Sequence, residues 1–278
     1  MLTTMPNANV NGVHIVYSEF GKNKKNNKHV LFIHGLGSSS ITWRDIPDAL
    51  SAYLHTIAVD LIGFGASDKP EAADYTIKGL SRFIVDFLRK GIRLGIDEKI
   101  SLVGHSLGGY IGAQVAIENR DIIDKLVLID SSGMLSGPTP LLTQYLDAAM
   151  ETNPLIRYDK VKRVFENMYA SPSRLLPVAV DLFNYTIEKP GARRAFASSF
   201  HNSTTTHIES DKLNEVVGGI PSLIIWGEED NLIPLNQAGK FAQYLKSAEL
   251  KKIKDAGHSP FVEKTAKVYE ILRTFLIK

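Results

Sequence analysis

Apolar positions along the chain recur with two different periods. In VHIVYSEFG (13–21) they alternate with polar ones, which predicts a strand with one buried face, and Asn11-Gly12 before it predicts a tight hairpin turn. HVLFIHG (29–35) and HTIAVDLIG (55–63) are continuous apolar runs, the pattern of strands buried on both faces. A helix fits between them, from about residue 42 to 52. Leu80, Phe83, Ile84, Phe87 and Leu88 follow the spacing of one buried helix face. KISLVGH (99–105) predicts a strand, 107 to about 119 a helix, and KLVLIDS (125–131) a further strand. Alternation of this kind predicts a parallel sheet with helices over both faces.

The alternation stops at Gly133. From 134 to 210 there are helical patterns, broken by Pro138, Pro140, Pro154, Pro172 and Pro190, and no pattern of a buried strand. Strand and helix alternate again through SLIIWGEED (222–230), a helix near 235–245, ELKKIKDAG (249–257) and a last helix. In that helix Ser259 suits the cap and Pro260 the first position, with Val262, Val268, Ile271, Leu272 and Phe275 as the core face. The expected fold class is α/β: a mostly parallel central sheet with helices on both faces, built from 1–133 and 211–278 and interrupted by a helical insertion over 134–210.

Composition narrows the chemistry. The 278 residues are 44% hydrophobic, enough for one large core. Lysine and arginine total 32 against 30 acidic residues, so a formal charge of +2 gives no reason to expect nucleic acid or a membrane surface as partner. The densest basic run, KNKKNNK (22–28), reads as a solvated loop. Without cysteine there is no disulfide, thiol nucleophile or cysteine-ligated metal. MLTTMPNANV at the start has no basic region and no apolar stretch, so no signal peptide is expected. No apolar run approaches membrane-spanning length, and a soluble cytoplasmic protein is the expectation.

LVGHSLGGYIG (102–112) carries the chemistry. Gly104-His105-Ser106-Leu107-Gly108 places one serine between glycines, after a strand and before a helix. A sharp strand-to-helix turn strains the apex residue, and glycines on either side let neighbouring backbone approach. The Leu107 N–H then lies in the first helical turn, where donors are unpaired and negative charge is favoured. The simpler reading makes Ser106 a helix cap. Gly109 and Gly112 would give that helix a bare face packed close to the sheet.

A serine hydroxyl needs a base. Of eight histidines, His258 follows the last predicted strand, and the ends of parallel strands converge at one sheet edge. His201 and His207 lack such a placement, and His34 suits fixing its own loop. The base needs an orienting acid: Asp230 follows the penultimate strand, and Asp130, ending the strand before it, is a second candidate.

HGLGSSSITW (34–43), DLIGFGASDKP (60–70), GHSLGG (104–109), GEED (227–230) and GHSPFVE (257–263) together resemble the α/β-hydrolase fold, of the serine esterase and lipase type with a helical lid. The resemblance spans nearly the whole chain. It implies a catalytic Ser106, Asp230 and His258, an oxyanion hole from the N–H groups of Leu36 and Leu107, and no metal or cofactor. It also implies a lid at 134–210. Asp60, Gly63, Gly65 and Ser67 would form a structural loop, and Trp43 would pack beneath the first loop. From the lid, Leu142, Tyr145, Leu146, Met150 and Phe165 could line an acyl pocket. Met168, Tyr169, Phe183 and Tyr185 could do the same.

The expected substrate is a small-molecule carboxylic ester with a small or medium acyl group, cleaved through an acyl-enzyme. Two other readings stand beside it. Carbon–carbon hydrolases of the meta-cleavage type share the triad, but tend to have asparagine before the serine and tryptophan after the histidine, where this chain has His105 and Ser259. A ligand receptor on a hydrolase scaffold would use the same pocket without efficient turnover. Related haloalkane dehalogenases and epoxide hydrolases carry aspartate at the nucleophile position, and Ser106 there argues against aspartyl-ester chemistry.

Overall fold

The computed structural model describes residues 5–22, 28–43 and 45–278. Most of the basic run, residues 23–27, and the first four residues lie outside them.

Eight strands form one sheet: β1 (Asn7–Val10), β2 (Val13–Phe20), β3 (His29–Ile33), β4 (His55–Val59), β5 (Ile100–His105), β6 (Ile123–Ile129), β7 (Ser222–Gly227) and β8 (Glu249–Ile253). Their order is β1-β2-β4-β3-β5-β6-β7-β8. β1 pairs antiparallel with β2 through the Asn11-Gly12 turn, β2 pairs antiparallel with β4, and all pairings from β4 to β8 are parallel. Every residue of β4, β5 and β7 is buried, as the continuous apolar runs require. β8 is an edge, and its exposed Lys251 and Lys252 suit a strand that must not pair further.

Side-chain alternation splits the core in two. Val30, Phe32, Val103, Val127 and Ile225 meet α1 (Ile46–Leu50) on one face. Leu31, Ile33, Leu102, Leu128 and Ile224 face the other way, toward α2 (Ile77–Asp86) and α3 (Leu107–Glu118). α3 is buried from Leu107 through Ala116, because the sheet covers one side and neighbouring helices the other. Between β6 and β7 run α4 (Pro140–Met150), α5 (Pro154–Met168), α6 (Pro177–Ile187), α7 (Ala192–Thr205) and α8 (Ser210–Val217). The first four pack on one another, and α8 returns to α3. A proline stands in the first turn of α4, α5 and α6, where its missing N–H costs nothing.

After β7 come α9 (Asn236–Tyr244), then β8, and then two helices rather than the single one expected. α10 (Pro260–Glu263) ends at Lys264, and α11 (Thr265–Ile277) completes the face that holds α1. Ser259 makes no capping bond to α10, so only the proline part of that start signal operates. The region expected as one helix over 42–52 is also split, into a short turn at Ser40–Trp43 and α1. Trp43 is buried against Phe261, ring centroids 4.5 Å apart, and the turn is thereby fixed to α10.

Candidate active site

The strands β3, β5, β6, β7 and β8 all end at the same sheet edge, and each delivers a residue there. β3 and β5 are neighbours although β4 lies between them in sequence, so the chain changes winding direction between them. Ligand crevices form at such a switch point. Leu36 follows β3, and Ser106 follows β5.

Ser106 has φ 53° and ψ −119°, a strained conformation for a non-glycine residue. Its side chain makes no capping bond to α3, which removes the cap reading. Its N–H donates to Ile129 O (3.0 Å), and its carbonyl accepts from Ser132 N (3.1 Å), so the strain is held from the neighbouring strand end. A Cβ at Gly104 would collide with Gly108 O, and one at Gly108 with Ile33 O; the turn closes only around these two glycines. The Ser106 hydroxyl makes no hydrogen bond with another described residue and faces a cavity of about 420 Å³ that His258 also lines.

His258 and Asp230 are brought together as expected. His258 Nδ1–H donates to Asp230 Oδ2 at 2.8 Å, leaving Nε2 with its lone pair. Asp230 Oδ1 accepts from Leu232 N (2.8 Å) and Ile233 N (2.9 Å), and its side chain is fully buried. Asp130 does not reach the histidine in this way. Its Oδ1 accepts from Gly227 N at 2.9 Å, and its Oδ2 is buried without a partner. Burial and the Asp230 charge push its carboxyl well above the usual carboxylate range.

The N–H groups of Leu36 and Leu107 have no acceptor among the described residues. The loop that carries Leu36 is held from two sides. His34 Nδ1–H donates to Gly35 O (2.7 Å), and its Nε2 accepts from Leu61 N (3.0 Å), which requires the neutral ring. Burial lowers the His34 pKa accordingly. From above, Tyr145 of α4 donates its hydroxyl to Leu36 O at 3.2 Å. The loop at 60–67 is structural: Asp60 accepts from Ser40 N (2.6 Å) and Ala66 N (2.7 Å), and Ser67 donates to Asp60 O (2.7 Å).

Two residues with evident roles gave no sign in the sequence. His105 Nε2–H donates to His258 O at 2.7 Å, and burial holds its ring well below the usual histidine range. Glu263, its side chain fully buried, accepts from Gly257 N (2.7 Å), Ala170 N (3.0 Å) and Arg174 (3.3 Å). It ties the histidine loop to the segment after α5, and His258 N–H donates to Met168 O (2.7 Å) at the same corner. An acid on a four-residue helix has no periodicity from which to read burial.

Of the nine residues of 134–210 expected at the pocket, Leu142, Tyr145, Phe165, Met168, Tyr169 and Phe183 line the cavity. Leu146 and Met150 pack against the core instead, and Tyr185 is 64% exposed under the Lys189 ammonium. Among the described residues, no lysine, arginine, aspartate or glutamate lines the cavity. A neighbouring cleft of about 400 Å³ holds Lys69, Lys189, Asp60 and Asp68, and contains neither Ser106 nor His258.

A family model described as the alpha/beta hydrolase fold matches residues 28–265. The chain belongs to this family. The hydrolase is 29% identical over 271 residues to Lipase 1 of Psychrobacter immobilis, covering 95% of this chain and 82% of the relative. It is 25% identical over 265 residues to the 2-hydroxy-6-oxo-6-(2'-aminophenyl)hexa-2,4-dienoic acid hydrolase of Metapseudomonas resinovorans, covering 92% and 84%. Among solved structures, the meta-cleavage product hydrolase of Pseudomonas fluorescens IP01 superposes on this hydrolase with a TM-score of 0.84 at 22% identity, over 98% of this chain and 97% of that one. That likeness shows the fold alone.

Proposed function

We propose that this hydrolase cleaves neutral carboxylic esters through an acyl-enzyme on Ser106. The observation that carries the reading is the uncapped Ser106 hydroxyl at a strained turn, in an apolar cavity shared with the Asp230-oriented His258. His258 Nε2 takes the Ser106 proton as Oγ attacks the ester carbonyl carbon. The oxyanion is held by Leu36 and Leu107 N–H, at a helix start that favours negative charge. His258 then gives the proton to the departing alcohol. Water adds to the acyl-enzyme by the same route and frees the carboxylic acid. Asp230 keeps His258 in the tautomer that this requires and stabilises its protonated form. In this reading α4 to α7 serve as the lid, and a cavity of about 420 Å³ fits a small or medium acyl group.

Carbon–carbon cleavage is the second reading, favoured by relatives such as the dienoic acid hydrolase. Its substrate carries a carboxylate, and burying an unpaired carboxylate in an uncharged cavity is costly. The two nearby lysines line the other cleft. The neutral lining therefore supports the ester over the dienoic acid, and the intact triad supports turnover over a receptor that only binds.

Turnover of 4-nitrophenyl esters of increasing acyl length, with a meta-cleavage product as comparison, tests the choice. Ser106→Ala should lower ester turnover by about 10³-fold or more, with an unchanged unfolding midpoint. Turnover retained in that variant rejects the assignment. Faster cleavage of the meta-cleavage product than of any ester moves it to the second reading.

A further inference from the structure

Asp130 is a buried titratable group for which the mechanism has no use. It follows β6, is wholly inaccessible, and has φ 43°, an uncommon conformation for a residue with a side chain. One of its oxygens is satisfied by Gly227 N–H, and the other is an orphan. A buried carboxylate oxygen without a donor costs free energy, and such orphans require an explanation. Beside it, one ligand atom each from Asp130, Asp230 and His258 lie within 4.8 Å of one another.

Two ionised carboxylates this close in a dry site repel each other, and one takes up a proton. Asp230 receives three N–H donors, from Leu232, Ile233 and His258, whereas Asp130 receives one. The negative charge is therefore better stabilised on Asp230. Asp230 also retains acceptor capacity, since a carboxylate offers about four lone-pair sites. Only a protonated Asp130 has a donor to fill one.

We propose that Asp130 is a neutral carboxylic acid that donates from Oδ2 to the Asp230 carboxylate and so fixes the plane in which Asp230 meets His258. Asp130 is thus a positioning residue, and its effect on turnover rests on the reading of His258 as general base. The titratable groups that face it are Asp230 after β7, His258 after β8 and Glu263 in α10. Burial, the Asp230 charge and Glu263 all favour its neutral form.

Asp130→Asn and Asp130→Leu separate the possibilities. The asparagine amide can donate to Asp230 while its oxygen accepts from Gly227, so it reproduces both bonds without a titratable proton. Relative to leucine it should rescue activity, with kcat/KM within about threefold of wild type and the acidic limb of the pH profile unmoved. Leucine should lower kcat about tenfold at unchanged KM, the equivalent of one hydrogen bond to a charged group. Infrared difference spectra should show the carbonyl stretch of a protonated carboxylic acid in wild type and in Ser106→Ala, and not in Asp130→Asn. Absence of that band in wild type overturns the assignment. So does an acidic limb that moves down by about half a unit or more in Asp130→Asn, because it would mean that a charge had been removed. If the leucine variant does not fold, the infrared band and the asparagine pH profile still decide. Retained turnover in Ser106→Ala would reject the esterase reading and leave the infrared result standing.

Discussion

At the scale of single residues, the glycines around Ser106 separate into those the turn cannot do without and one it can. A Cβ at Gly108 meets backbone at Ile33 O, which cannot swing aside, whereas one at Gly112 meets nothing closer than Leu126 Cδ1 at 3.8 Å. Gly108→Ala should therefore destabilise by about 2–3 kcal/mol, and Gly112→Ala should stabilise by about 0.5–1 kcal/mol, the ordinary cost of glycine inside a helix. Urea unfolding of both variants checks the pair, and equal effects would contradict the geometry. Gly109 does pack closely, against Ser131, but the bare face expected from Gly109 and Gly112 together is realised only at the first. The placing of Ser106 and His258 at one sheet edge was legible because strand ends and glycine spacing mark them. The carboxylate that meets His258 was legible from the strand ends only as a choice between Asp130 and Asp230. Both follow strand ends at one edge, and only the direction of the His258 Nδ1–H bond separates them.

At the scale of elements, the sheet and the helical character of the insertion were legible, and the division of labour within the helical block was not. Continuous apolar runs have one explanation, burial on both faces. The apolar residues of α4 to α7 must pack the block and wall the cavity at once, and a helical period does not distinguish the two tasks. Tyr145, Phe183 and Phe196 show it. Their rings stack edge-on or tilted with centroids 5.0–5.9 Å apart, yet Tyr145 and Phe183 also face the cavity and Phe196 does not. The join between α5 and α10 yields a prediction at this scale. Glu263→Gln keeps the volume but replaces one of two accepting oxygens with a donor, which would then face the N–H of Gly257 or Ala170. The variant should lose about 1–3 kcal/mol. It should also lower kcat more than it raises KM, since Glu263 holds the histidine loop directly through Gly257 N–H while Ala170 lies one residue beyond the cavity lining. Unfolding curves and steady-state kinetics on the same preparation check both. A change confined to KM would place Glu263 in the wall instead.

At the scale of the whole molecule, three of the buried histidines contribute to the pH response of stability. His34, His55 and His105 are each pushed below the ordinary histidine range, chiefly by burial. His55 also sits between Glu19 (2.9 Å) and the His29 ring (2.8 Å) at the far end of the sheet. Below about pH 6.5 the unfolded chain binds protons that these folded rings refuse. Stability that is full above that pH is lost as pH falls toward their folded values, at a slope of at most about 1.4 kcal/mol per pH unit for each ring. Asp130 and Glu263 are pushed upward and act with the opposite sign: their contribution is full at low pH and is lost as pH rises through their folded values. Between pH 7 and 5.5 the two signs oppose each other. In Asp130→Asn one opposing contribution is gone, so its free energy of unfolding should fall more steeply with falling pH than that of wild type. Urea titrations at several pH values measure both slopes, and identical slopes would contradict a neutral Asp130. Among the described residues no helix is long and apolar enough to cross a membrane.

The bond from His258 N–H to Met168 O joins the wall of the cavity to its base. Another part of the rim is open, where Ile41, Leu176 and Val178 stand 60%, 40% and 63% exposed, and in the proposed function substrate would pass there. If the Met168 corner parts, His258 loses one of three anchors, the others being Asp230 and His105. In the proposed ester mechanism the arrangement would act as an interlock: opening this corner would misalign the base that Ser106 needs.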